Sequence, residues 1–153
     1  LDFVLISVHL KPGSGPGNRN RRKHELSAIA DWIYESKSPE KDYIVLGDMN
    51  IYNSKELSIA TPEGFISLND ECRATNTQSN KPYDHVMYRP RHTGEIDAEF
   101  DMAVIDLIEA MAPYWNLDTP YPGNPYDHDE FRKHFSDHHP VEFRMKILGS
   151  DDD

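Results

Sequence analysis

The sequence predicts an α/β protein, an α+β sandwich of packed layers, and three segments carry that prediction. DFVLISVHL (2–10) is a nearly continuous apolar run rich in β-branched residues. RRKHELSAIADWIYES (21–36) sets Leu26, Ile29, Ala30 and Ile33 on one stripe at helical spacing. YIVLG (43–47) is a second apolar run, short enough to be a strand. Strand, helix, strand in this order is the pattern of an α/β layered architecture.

Taken in chain order, the two apolar runs read as strands buried on both faces, since neither alternates with polar residues. KPGSGPGNRN (11–20), with three Gly and two Pro, is expected to be a loop, and SPEKD (38–42) a turn. GFISLND (64–70) and HVMYR (85–89) read as further short strands. DMAVIDLIEAMAPYW (101–115) places Val104, Ile105, Ile108 and Met111 in a helix-like pattern, with a strand start also compatible. NLDTPYPGNPYDHDEFRKHF (116–135) is a long Pro- and Tyr-rich loop, of the kind that is functional or disordered in compact domains. VEFRMKIL (141–148) alternates, with Val141, Phe143, Met145 and Ile147 on one face and Glu142, Arg144 and Lys146 on a solvated one. Two doubly buried strands need more cover than one or two amphipathic helices supply. Part of the cover is therefore expected from outside this chain.

The bulk properties narrow the function. At 153 residues the chain is expected to bury one core, and 37% apolar with 28% charged residues is a globular composition. No apolar run is long enough for a membrane span. A single Cys72 excludes an internal disulfide framework and a Cys-based zinc site. The net charge is −11, from 27 acidic and 16 basic residues, with three negative charges in the DDD tail. Such a surface repels phosphate backbones and argues against tight nonspecific nucleic-acid binding. A phosphate ester held through a divalent cation stays compatible, because the cation reverses the local field.

Four short constellations sit where an apolar run meets a loop. These are SVHLKP with His9, LGDMN with Asp48 and Asn50, KPYDHVMY with Asp84, and FSDHHPV with Asp137 and His138. Each alone is weak, since a strand-end Gly-Asp is most often a turn and a lone strand-end His is more often structural. Together they are chemically coherent, because strand ends pointing one way converge on one crevice in layered α/β proteins. Adjacent carboxylates raise one another's pKa unless a hard cation neutralises them, and Mg2+ prefers such oxygen ligands. A His beside a carboxylate can take a proton from water near neutral pH. Asn50 and a second His can hydrogen-bond phosphoryl oxygens as charge builds. The reaction implied is metal-assisted hydrolysis of a phosphate ester.

In the same order along the chain, an HL strand, an R..E helix, GDMN, YDHV and SDHHPV resemble the endonuclease/exonuclease/phosphatase (DNase I-like) superfamily. The most specific of these signatures is SDHHPV, which matches SDHxPV; GDMN, matching GDxN, comes next. The resemblance implies that His138 is the general base, oriented by Asp84. It implies that Asp137 is a metal ligand, and that Asp48 sits at the metal or protonates the leaving group. Asn50 would bind the phosphate at or beside the metal, and His9 is similar to a phosphate-contacting His in the DNase and sphingomyelinase branches. Mg2+ or Mn2+ would be the cofactor. YDH recurs at 126–128, but only Asp84 leads into an apolar strand, so Tyr126, Asp127 and His128 are expected to be loop residues. His139 fills the variable position of SDHxPV and is expected to point away. RNRRK (19–23) could meet a phosphate-bearing substrate, although a solvated helix start is the preferred reading.

The family fold is a four-layer α/β/β/α sandwich of two similar halves, and only the second half is matched. Residues 1–149 are thus expected to be the C-terminal half of a catalytic domain, with 150–153 an acidic tail. The first half normally adds an Asn and a metal-binding Glu. Either that half or a second copy of the chain is expected to cover the open sheet face. The activity implied is phosphate ester hydrolysis of the nuclease phosphodiesterase type, with nucleic acid among the substrates. A sphingomyelinase-like or other phosphoesterase is the alternative, and so is a catalytically silent half-domain that self-associates. The loop 116–135, with Tyr114, Tyr121 and Tyr126 in or beside it, could recognise a base, a sugar or a lipid headgroup, with Tyr126 otherwise merely solvated.

Overall fold

A computed structural model describes residues 2–114 and 127–147. The central sheet has four strands, β1 (Val4–His9), β2 (Tyr43–Asp48), β3 (Ile66–Ser67) and β4 (Asp84–Tyr88), in the order β1-β2-β4-β3. β1 and β2 are parallel, joined by α1 (Pro16–Glu35), and β4 runs antiparallel to β2 and β3. A short helix, α2 (Ser54–Ala60), follows β2. β5 (Ala103–Val104) and β6 (Val141–Glu142) form a small second sheet, with α3 (Leu107–Met111), a 3-10 turn (Ala112–Tyr114) and α4 (His128–His134) between them. The class is the mixed α/β one expected. Tyr121, Tyr126 and the acidic tail 150–153 lie outside the described residues.

Each face of the sheet carries its own apolar cluster. Leu26, Ala30 and Ile33 of α1 and Leu57 and Ala60 of α2 pack on Tyr43, Val45 and Met87. On the other face Ile44, Val86 and Tyr88 meet Ile96 and Met102, flanked by Val104, Val141, Phe143 and Met145. The helices expected to be too few are thus supplemented by the β5–β6 sheet. That cover stops short of β1, an edge strand. Its residues alternate instead of being doubly buried: Val4, Ile6 and Val8 point to the helices while Leu5 remains 51% exposed.

Several local expectations are corrected. The segment 11–20 is not all loop, because α1 starts at Pro16. A proline is tolerated in the first turn, where its missing N–H has no partner to lose, so Pro16 starts a helix inside the segment expected to be loop. Arg22, expected to be solvated, is fully buried. Its guanidinium binds the Glu56 carboxylate and the carbonyls of Lys11 and Gly13 (2.7 and 2.8 Å), while Glu25 accepts the Lys11 N–H at 3.1 Å. The Gly-rich loop is thereby tied to both helices. α2 had not been anticipated, although Asn53 followed three residues later by Glu56 is a start signal. The Asn53 side chain accepts the Glu56 N–H at 3.0 Å. Residues 128–134 form α4 rather than loop, capped by the Asp127 carboxylate. Both the 64–70 and the 141–148 strands shrink to two residues. Inward alternation continues from Val141 to Met145, but Ile147 is 88% exposed.

Gly47 sets the spacing of β1 and β2. Its φ is +129°, and a Cβ there would lie 2.2 Å from the Val8 carbonyl oxygen. Gly47→Ala is expected to destabilise the fold by about 3 kcal/mol, since strain and overlap act together. Urea unfolding of the variant against the parent measures this; an unchanged midpoint would refute the close approach.

Candidate active site

Strand register assembles the site. His9 stands opposite Asp48 across β1 and β2, and Asp48 stands opposite Asp84 across β2 and β4. Three residues from three strands therefore share one row at one end of the sheet. Just past β2 the chain turns sharply, with Asn50 in the left-handed region (φ 52°), which Asn tolerates better than most residues. The turn is held by the Asn50 N–H on Asp48 Oδ1 (2.8 Å) and by Asn50 Nδ2 on the Leu10 carbonyl (3.1 Å). Asp48 consequently keeps Oδ1 on the backbone and presents Oδ2.

His138 comes from the segment ahead of β6, 54 residues beyond Asp84. Backbone bonds bring it in. The Asp137 carbonyl accepts from the Thr77 N–H (2.8 Å) and from Asn76 Nδ2 (3.0 Å), and the His139 N–H donates to the Thr75 carbonyl (2.7 Å). The buried Thr75 also accepts the Asp84 N–H on its hydroxyl at 3.0 Å. One residue thus positions both Asp84 and the His138 segment. Asn69, almost fully buried, adds a bond from Nδ2 to the Asp84 carbonyl.

The side chains then meet. His138 Nδ1 lies 2.7 Å from Asp84 Oδ2, and its Nε2 lies 3.7 Å from Asp48 Oδ2. His9 Nε2 approaches the same Asp48 oxygen at 3.4 Å from an exposed position. One donor atom from each of Asp48, Asp84 and His138 falls within 4.8 Å of the others. Asp137, expected near the metal, has an exposed side chain and is not part of this group. His139 turns elsewhere, its Nδ1 accepting the Leu107 N–H at 2.9 Å.

The electrostatics follow from crowding. Burial raises the Asp48 carboxyl above its ordinary range and the Asp84 charge adds to this, against the Asn50 N–H and the two histidines. The hydrogen bond to Asp84 raises His138 above the usual imidazole value, helped by the charges of Asp84, Asp48 and Asp137 and opposed by burial.

Tyr83 was not singled out in the sequence, although it precedes Asp84 in YDHV. Its ring lies 5.8 Å from His138 and 5.2 Å from Tyr52. Burial, then Tyr52, push its phenol up to about 12, so it stays protonated. Thr75 carries no local signal at all.

No protein-family model and no curated protein matches the chain. Among solved structures, it is similar to a humanised D. rerio TDP2 carrying 14 mutations, at 21% identity over 66% of this chain and 45% of that one, with a TM-score of 0.46. It is similar to D. rerio TDP2 complexed with a single-strand DNA product at 22% identity over 67% and 47%, with a TM-score of 0.45. The chain thus spans less than half the length of either structure.

Beside the site, fully buried His85 pairs its Nδ1 with the Ser67 hydroxyl at 2.9 Å. Burial lowers it to about 4, against smaller opposing effects of the Pro82 carbonyl and Asp84. The unfolded chain binds this proton near the ordinary value of about 6.5. The contribution of His85 is therefore intact above that pH and lost as pH falls toward 4, by at most about 1.4 kcal/mol per pH unit. The raised values of Asp48 and His138 act in the opposite sense. Urea midpoints between pH 7 and pH 4.5 should fall less steeply for His85→Asn than for the parent, and equal slopes would refute a neutral buried His85.

Proposed function

We propose that this chain carries the base and phosphate-binding part of a divalent-metal phosphoesterase centre, of the nuclease phosphodiesterase type and of the DNase I-like superfamily. The observation that carries the reading is the His138–Asp84 contact of 2.7 Å, with the free Nε2 facing Asp48. Two ligands side by side on one Mg2+ sit about 3 Å apart, given bonds of about 2.1 Å. The shorter His138–Asp84 separation therefore marks a hydrogen bond and not a shared cation. The oxygen-rich remainder fits a hard cation held by Asp48 with Asn50 as a further donor, and the exposed Asp137 side chain would join it by turning inward.

When bound, Mg2+ or Mn2+ supplies charge neutralisation at the phosphate and acidifies the attacking water. The chain's own residues do the rest. His138 Nδ1–H donates a hydrogen bond to the Asp84 carboxylate, which fixes the tautomer with the lone pair on Nε2. That nitrogen takes a proton from water as the water oxygen bonds to phosphorus and the ester oxygen departs. The Asp84 carboxylate then stabilises the imidazolium. His9 and the second amide proton of Asn50 donate to the phosphoryl oxygens. Asp48, with its raised pKa, serves the metal or returns a proton to the leaving oxygen.

Turnover of bis-p-nitrophenyl phosphate with Mg2+ or Mn2+ tests this, with EDTA expected to abolish it. His138→Ala should lower the rate by about 1,000-fold, within the usual range for a general base. The rate should rise with pH as His138 loses its proton. Asp84→Asn should move that inflection to lower pH, because the Asp84 hydrogen bond is the largest cause of the upward shift. Turnover indifferent to His138→Ala would overturn the reading. A folded chain inert with both metals would instead favour the silent half-domain for this chain, and light scattering would then test its self-association.

A further inference from the structure

A basic cleft lies outside the catalytic cluster, between α1 and α2. It is an open cleft of about 240 Å3. Arg19, Lys23 and Lys55 supply its charged rim, while Pro16, Ile59 and Ala60 give it an apolar surface. Its one acidic residue, Glu56, is neutralised by buried Arg22 and also accepts the Tyr52 N–H at 3.2 Å. Arg19 approaches Glu56 only at 3.9 Å and is half exposed, and neither Lys23 nor Lys55 forms an ion pair among the described residues. In a chain of net charge −11 this concentration of uncompensated positive charge is a local reversal of the surface field.

The cleft is connected to the catalytic cluster by a short series of contacts. The Arg22 guanidinium lies 5.4 Å from the Tyr52 ring, whose edge-on neighbour Tyr83 lies 5.2 Å away and in turn 5.8 Å from His138. Lys81 flanks the same Tyr52 ring at 5.7 Å. Arg22 is buried and paired with Glu56, so the groups a strand could touch along this path are Lys81, Tyr52 and Tyr83. Basic groups beside aromatic rings are how a protein follows one polynucleotide strand. A bare inorganic phosphate would use the rim alone. The apolar surface additionally suits a sugar or base.

We infer that the cleft of Arg19, Lys23 and Lys55 is a subsite for a second nucleotide of a single nucleic-acid strand whose scissile phosphate lies at His138. This rests on the phosphoesterase reading and narrows its substrate class. The strand leaves the catalytic row past Tyr83 and Tyr52, and its next phosphates pair with the three cations. Repulsion from the acidic remainder confines the strand to this strip.

The test uses the full chain in a His138→Ala background, which suppresses turnover, and a fluorescein-labelled single-stranded 12-mer, measured by anisotropy with Mg2+ present so that the phosphate-binding metal is retained. Lys23→Ala/Lys55→Ala is expected to weaken binding about tenfold. It should also flatten the slope of log affinity against log salt by about 1.4, the value for two lost single-strand phosphate contacts. Both lysines are exposed, and a matching thermal melt confirms that the variant is folded. With His138 intact, turnover of bis-p-nitrophenyl phosphate should not change. Unaltered strand affinity and salt slope in the double variant would overturn the subsite, as would no strand binding by the parent. Equal competition by inositol hexakisphosphate and by unlabelled strand would overturn the nucleotide assignment. Hydrolysis of the small ester without strand binding refutes only this inference. Lysine-dependent strand binding without hydrolysis, with His138 intact, refutes only the catalytic reading of this chain.

Discussion

The structure depends on the pairing register of three strands at one end of the sheet. His9, Asp48 and Asp84 occupy one row because β1 and β4 both pair with β2 at fixed offsets. A slip of one residue in either pairing would turn a site residue to the other face of the sheet. Gly47 narrows the gap between β1 and β2 just before this row, where a side chain would meet the Val8 carbonyl. The two apolar clusters hold the register from both sides, since a shift would also expose Val45 or Ile44.

Around that row, polar groups are buried with their partners. Thr75 and Asn69 satisfy the backbone of Asp84, and Arg22 and Glu56 satisfy each other while closing the loop after β1. Breaking a buried pair of this kind typically costs about 3–5 kcal/mol, because the remaining charge stays desolvated. The loops at this edge of the sheet are therefore fixed by hydrogen bonds more than by regular secondary structure. That suits a site whose donors come from separated segments and must hold their spacing closely.

Charge is distributed with similar economy. Two carboxylates and two imidazoles crowd around this row, where burial and mutual repulsion disfavour ionised Asp48 and the Asp84 hydrogen bond favours protonated His138. The nearby His85 is buried and neutral and belongs to the scaffold, although YDHV places it directly beside Asp84. Neighbouring positions on one strand point to opposite faces, and so the same tripeptide supplies a site carboxylate and a core imidazole.

Local pattern was enough for much of this. The apolar runs located β1 and β2, the stripe of Leu26, Ala30 and Ile33 located α1, and the ordered strand-end motifs singled out His9, Asp48, Asp84 and His138, because alternation, helical spacing and turn chemistry are properties of neighbouring residues. Sequence alone was weaker where a residue's environment is made by distant chain. Arg22 looks solvated until Glu56 and the Lys11 and Gly13 carbonyls surround it, β1 looks doubly buried until it proves to be an edge strand, and Thr75 has no pattern. Only the tertiary structure decided that His138 would reach Asp84 across 54 residues, since that contact depends on strand order and loop hydrogen bonds that no short stretch of sequence contains.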